Sequence, residues 1–303
     1  MQFIPDNYIL FWTCIIGLCL GSFYNVVILR SLSGESIVFP PSKCPKCNHK
    51  LYWWHNIPVL SYFLLRGKCF FCNKKISVQY PLVELLTGTF FCLTYLKFGF
   101  SLFTLFALIW ISCLLIMTVT DLKEKVVDCN IAIILAITGL IYNFLPCCNW
   151  QGIKMSVLGL VLGIVIMEII AGLGYIFAGK RALGEADTYV AAAIGAILGW
   201  ESLLLTLGYS LVAAMIIIVP MFLYNSYKKG DKAVCILSIV FILCTLFFKT
   251  VAQNWITYSF VALSGVSLAI LVLKSLKNKR DHIYLPFVPA LFAGTLYFLF
   301  FIL

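Results

Sequence analysis

Charge is what this chain has least of: Asp, Glu, Lys and Arg make up only 11% of its 303 residues, while 62% are hydrophobic. So little charge excludes an ordinary water-soluble domain. The long apolar runs also lack the polar–apolar alternation of barrel strands, which leaves helices as the membrane-spanning element. Residues Met1 to Asn7 carry no basic cluster and lead into a full-length apolar run, so no cleaved signal peptide is expected. There is no low-complexity tract and no solenoid-type repeat. Acidic residues are the scarcer charge, 12 against 22 basic ones, giving a net charge of +10. The basic residues are scattered over short loops and form no aromatic-studded patch, which argues against a nucleic-acid partner.

What remains is an all-α polytopic membrane protein in contact with the lipid bilayer. A hydrocarbon core about 30 Å thick takes about 20 apolar residues as a helix. Apolar runs predict ten spans, at 8–29, 82–98, 102–120, 129–146, 155–178, 188–204, 206–226, 233–250, 254–273 and 285–303. The division within 188–226 rests on Trp200, Glu201, Gly208 and Tyr209, which interrupt an otherwise continuous run. Nineteen of the 22 basic residues then share one face, and Lys97, Lys154 and Lys249 lie opposite. The positive-inside rule makes the basic face cytoplasmic and puts the N-terminus outside. Five regions follow: a first transmembrane helix (1–30), a cytoplasmic four-cysteine loop (31–80), a transmembrane core (81–227), an additional membrane hairpin (228–284) and a C-terminal transmembrane helix (285–303).

The loop carries Cys44-Pro-Lys-Cys47 and Cys69-Phe-Phe-Cys72. Two such knuckles complete a tetrahedral zinc site, and the surrounding Lys43, Lys46, Lys68, Lys74 and Lys75 favour thiolates. Four thiolates leave no open coordination position, so the zinc is expected to be structural. Two disulfides are the alternative, disfavoured in a reducing compartment. His49 and His55 are expected at the surface beside a complete ligand set. Adjacent Cys147 and Cys148 fall on the outer face and are read as free thiols.

Among the acids, Glu84 opens the second span, where it suits the helix macrodipole. Glu168 lies within a span and is expected to be neutral or to face the bundle interior. Glu201 reads as an outer-turn residue. Asp121 ends the run 102–120 and Asp187 precedes the run beginning at Thr188. With two spans between them, both reach the cytoplasmic boundary. Asp187 also suits a helix N-cap, and Asp121 an ion pair with Lys123 or Lys125. Brought together, two carboxylates share a proton, the state an aspartic protease uses. A transporter or ion pathway with Asp121, Asp187 and Glu168 as relays is the alternative.

Thr120-Asp121-Leu-Lys123 and Gly184-Glu-Ala-Asp187 resemble the two motifs of the type IV prepilin peptidases, membrane aspartic proteases of the GxGD class. Gly21-Ser-Phe-Tyr-Asn-Val-Val-Ile-Leu-Arg30, the two CxxC pairs, Gln79-Tyr-Pro-Leu-Val-Glu84-Leu-Leu-Thr-Gly88 and Leu285-Pro-Phe-Val-Pro289 are similar to further signatures of that family, in order. The resemblance implies that Asp121 and Asp187 are the catalytic pair, with Asp128, Gly184, Glu185 and Glu84 in support. It also implies removal of a basic leader from type IV prepilins or type II secretion pseudopilins at the cytoplasmic face of a bacterial inner membrane. S-adenosylmethionine-dependent N-methylation of the new terminus follows in many members. No Gly-rich cofactor loop is present, Gly172-Leu-Gly-Tyr175 suiting helix packing, so no cofactor-binding residue is assigned. Three departures stand out: Ala186 replaces the second Gly of GxGD, Val127 replaces a Pro before Asp128, and 228–280 adds two spans. Acids such as Glu84, Glu185 and Asp128 are expected to attract the basic leader.

Overall fold

A computed structural model describes residues 6–36, 38–39, 41–145, 152–178, 184–228 and 287–303. The spans expected at 233–250 and 254–273, and Cys147 and Cys148, lie outside the described residues. The described elements are α1 (Asp6–Ser33), a 3₁₀ turn (Trp53–Asn56), α2 (Leu60–Leu64), α3 (Gln79–Phe98), α4 (Leu102–Glu124), α5 (Cys129–Phe144), α6 (Ile153–Ala178), α7 (Glu185–Lys228) and α8 (Val288–Tyr297). Four helical segments are long and apolar enough to cross a membrane: Asn7–Ser33, Leu102–Glu124, Ile153–Leu173 and Glu185–Ala214. The helices at 79–98, 129–144 and 288–302 also form where spans were expected, though they are not among those four, so the described residues do not confirm the expected ten.

Local chemistry sets the boundaries. Ser101 caps α4 by accepting from the Thr104 N–H at 3.2 Å, and Lys125 ends it in the left-handed conformation, φ 57°. Asp128 caps α5 by accepting from the Asn130 N–H at 2.9 Å. Between these ends α4 is buried continuously from Trp110 to Thr118 and again at Thr120 and Asp121, with Trp110, Leu114 and Met117 fully enclosed. It packs against α1, α3, α5 and α8 and forms the core of the bundle.

The run 188–226 does break, but at Gly199, earlier than the 204/206 boundary expected from sequence. Gly199 has φ 75° and ψ 171°, which only glycine takes readily. Leu203 Cδ2 lies 3.1 Å from where a Gly195 Cβ would stand. A straight helix rising 1.5 Å per residue would hold these positions too far apart for that contact, so the chain turns sharply. Glu201 is exposed just past the break, as an outer-turn residue should be.

A break in a buried helix strands backbone carbonyls. Asn143 of α5 answers this: its amide donates to the carbonyls of Ala196 at 3.3 Å and Ile197 at 3.0 Å, the last turn before Gly199. Gly139, one turn earlier, lets α5 lie directly on Ile197, since a Cβ there would stand 2.7 Å from its side chain. Because α5 ends at Phe144 and the arm 185–198 is largely buried, the earlier part of α5 runs alongside the earlier part of α7. Helices α6 and α7 run oppositely, Gly159 meeting Gly195 and Gly163 meeting Ala191 and Ala192.

Replacing Asn143 by Leu should leave both carbonyls without a donor and lower stability by about 2 kcal/mol. Thermal unfolding in detergent, followed by gel filtration of the surviving monodisperse protein, measures the loss.

Candidate active site

The register along α5 and α7 fixes where the acids stand. Asp128 lies about 16 Å before Gly139 along α5, and Asp187 about 15 Å before Ile197 along α7. Both therefore occupy the same end of the bundle. Asp121 joins them there, one turn before the short loop that links α4 to α5.

Asp121 is 2% exposed and Asp187 1% exposed. Each accepts from a backbone N–H at the start of a helix. The Val288 N–H of α8 donates to Asp121 Oδ2 at 3.2 Å, and the Gly184 N–H donates to Asp187 Oδ2 at 2.9 Å. Asp187 is thus the third residue of α7, bonding back to the residue that precedes the helix, and not the N-cap allowed by the sequence. Helix α8 packs on both α4 and α7, bridging the two helices that carry these carboxylates. Lys125 lies close enough to act on Asp121 electrostatically.

The other acids separate by role. Asp128 accepts from the Ser31 hydroxyl at 2.8 Å as well as capping α5, so it ties the end of α1 to the start of α5. Glu185 is exposed in the first turn of α7, and Gly184 precedes it. Glu84 is not a first-turn acid, because α3 begins five residues earlier at Gln79. It is buried and accepts from the Val59 N–H at 2.7 Å, so it holds the loop and is not free to attract a leader. Glu168, expected to be neutral or to face the interior, is exposed on α6, where its Oε1 accepts from the Thr188 hydroxyl at 3.2 Å. That bond places Glu168 one residue from Asp187, at the same end as Asp121. No chain of acids toward the opposite face is seen among the described residues.

The loop builds a second centre. Lys43 pairs with Lys50, and Lys68 with Lys75, as isolated antiparallel bridges that close two matching knuckles. In each, the residue after the second Cys, Asn48 or Asn73, takes a left-handed conformation at φ 55° or 54°, and its N–H returns to the first Cys carbonyl. This internal repeat is written in the sequence as Cys-x-x-Cys-Asn and was not read there. The sulfurs of Cys44, Cys47, Cys69 and Cys72 lie within 4.8 Å of one another, all as free thiols. A tetrahedral ion with bonds of about 2.3 Å needs sulfurs about 3.8 Å apart, so the cluster fits such an ion with a small contraction.

Burial works against a Cys69 thiolate, but the N–H groups of Cys72 and Phe71 and the Cys44 and Cys72 side chains outweigh it and bring the thiol down to about 7. The His49 N–H favours a Cys47 thiolate, yet desolvation and three neighbouring sulfurs push that thiol up to about 11. Four thiolates this close need a cation between them. His55 is buried, contrary to the surface position expected. Its Nδ1 accepts from the Tyr52 N–H at 3.1 Å, and its ring sits among Tyr52, Trp54, Phe70 and Phe71. Burial lowers its pKa, so the imidazole is neutral near pH 7 and acts as core. Exposed His49 stacks on Phe71, with ring centres 4.0 Å apart.

Residues 15–98 match the Bacterial Peptidase A24 N-terminal domain, and residues 108–219 match the Type IV leader peptidase family. A prepilin leader peptidase/N-methyltransferase of Neisseria gonorrhoeae is 36% identical over 217 residues, covering 62% of this chain and 74% of that protein. The chain belongs to the type IV leader peptidase family. A relative of the same name from Klebsiella pneumoniae is 34% identical over 197 residues, covering 63% of this chain and 86% of that protein. In Myxococcus xanthus the identity is 37% over 201 residues, covering 66% of this chain and only 58% of its relative. No solved structure matches the chain.

Two departures from the leader-peptidase pattern have structural answers. Ala186 stands in the first helical turn of α7, outside the positive-φ residues, so its methyl meets no backbone strain and packs on the core. Val127 is buried in that core directly before the Asp128 cap, exchanging a preset turn for apolar contact.

Purified protein should carry one thiophilic divalent ion per chain, lost in Cys69→Ser. Each thiol proton displaced should weaken binding about tenfold per unit fall in pH, because coordination requires thiolates. Metal analysis and competition with a chelator between pH 8 and 6 check both statements.

Proposed function

We propose that this leader peptidase cleaves the basic leader from type IV prepilins or pseudopilins, with Asp121 and Asp187 as its catalytic pair. The observation that carries the reading is the burial of both carboxylates at one end of the bundle in a chain of this family. Two like carboxylates placed together cannot both ionise readily, so one retains a proton. The ionised member takes a proton from water as its oxygen attacks the peptide carbonyl. The protonated member donates to that carbonyl oxygen; the member that took water's proton then passes it to the leaving amine while its partner recovers a proton from the gem-diol. Each Asp already spends one oxygen on a backbone N–H, which orients the carboxyl and limits its rotation.

The site lies at a bundle end, where an apolar pilin helix can approach laterally from lipid while its basic leader stays in water. Exposed Glu185, two residues from Asp187, is placed to attract that leader. The basic loops support placing this end at the cytoplasmic side of a bacterial inner membrane. Zinc suits Cys44, Cys47, Cys69 and Cys72, where it would join the two knuckles and leave no coordination position for water. The relatives' names support a second activity, methyl transfer from S-adenosylmethionine to the new N-terminal amine, which attacks the methyl carbon as the thioether leaves.

Asp121→Asn and Asp187→Asn should each lower leader removal from a prepilin substrate at least about a thousandfold. Asp128→Asn should chiefly cost stability, about 1 kcal/mol. Cleavage that persists in either of the first two variants overturns the pair. Mass spectrometry of the product, with and without S-adenosylmethionine, reads methylation in the same assay.

A further inference from the structure

The four-cysteine loop does not simply project from the membrane. Helices α1 and α3 lie face to face and antiparallel. A Cβ at Gly17 would stand 2.9 Å from Gly88 Cα, and one at Gly21 would stand 2.7 Å from Glu84 Cα. Asn25 Nδ2 donates to the Tyr80 carbonyl at 3.1 Å. Helix α3 therefore starts level with Asn25, and α1 runs on for a further stretch of about 12 Å to Ser33. The Val59 N–H is held by Glu84 Oε2 at 2.7 Å. Because helical side chains lean toward the helix N-terminus, this bond puts Val59 near the level of Tyr80 and Asn25. The apolar residues 26–29 of α1 lie between that level and Arg30. The corner of the loop is thereby held at the level of the apolar part of α1.

Val59 itself has φ 62° and ψ −51°, a strained conformation for a β-branched residue, and the Glu84 bond sits on its N–H. On either side of this corner the apolar side chains are uncovered: Trp53 is 80% exposed, Leu60 61%, Phe63 67% and Leu64 76%. Leu60, Phe63 and Leu64 share one face of α2 by their spacing, and exposed apolar side chains grouped in this way mark an interaction surface. Arg66 and Lys68 follow at once, both exposed. Across 31–80 there are seven exposed basic residues and a single acid, Glu35.

We propose that residues 53–64 form a membrane-docking element, in which Trp53, Leu60, Phe63 and Leu64 enter the headgroup–acyl boundary of an anionic phospholipid leaflet while Arg66 and Lys68 rest on its phosphates. An apolar face with an indole and a basic rim is the composition of interfacial anchors, and anionic headgroups complement the charge. A basic pilin leader would be repelled from the same surface. Glu84 is the positioning residue: it holds the corner at the depth where its apolar side chains meet lipid.

The full chain, reconstituted in phosphatidylethanolamine–phosphatidylglycerol vesicles with a lipid bearing an acyl-chain diazirine, tests this by irradiation and mass mapping of adducts. Adducts are expected on the peptides containing 53–64. They should fall at least about tenfold in Phe63→Asp/Leu64→Asp, with bound metal unchanged. Phosphatidylcholine vesicles, or Arg66→Glu/Lys68→Glu, should lower the yield severalfold. An unlabelled corner beside a labelled α1 overturns docking, as does protection of the corner by a co-purified acidic protein. Yields indifferent to headgroup charge overturn the anionic assignment. Asp121→Asn should label as wild type, so failure of this inference is separate from failure of the catalytic pair.

Discussion

In the interior of a membrane bundle a buried polar group left without a partner is costly, and the positions that matter most here are those where a partner is hardest to supply. Gly199 interrupts a buried helix, and Asn143 supplies donors to the carbonyls just before the break. Asp121 and Asp187 are buried carboxylates, and each takes a backbone N–H that a helix start leaves spare. The same rule therefore permits a turn in one place and a pair of acids in another. Small residues at the helix contacts, such as Gly159 against Gly195, make the approach close enough for these partners to meet.

The two centres are connected through α1. Its Gly-lined face receives α3 and Glu84, and its last turn reaches Asp128 through Ser31. Glu84 in turn holds Val59, at the corner of the loop whose knuckles carry the four thiols. Residues that resemble a catalytic motif thus include some whose work is mechanical. Glu84 and Asp128 position backbone, whereas Asp121 and Asp187 are buried where chemistry is proposed.

Much of the candidate site was legible in the chain because its signals are local. Two CxxC pairs specify two knuckles at any overall fold, since each closes on itself through the first Cys carbonyl. Asp121 and Asp187 stand out because apolar runs begin or end beside them. The errors came from longer range. Glu84 seemed a first-turn acid because the apolar run hid where α3 begins, His55 seemed a surface residue because two of the rings that cover it, Phe70 and Phe71, come from the distant second knuckle, and the break in α7 was placed too late. Nothing in the order of residues marks Asn143 as the donor to a helix more than fifty positions away.

Sequence by itself determined the solvent, the helical class, the four-thiol set and the acids at the bundle boundary, because composition, short spacing and apolar run length act over a few residues or over the whole chain. Only the tertiary structure decided which acid holds a loop corner, which caps a helix and which two stay buried on backbone N–H groups. Those roles depend on side chains and backbone from different helices meeting at one level. That meeting is set by packing register, and a change of one helical turn would move it by about 5 Å.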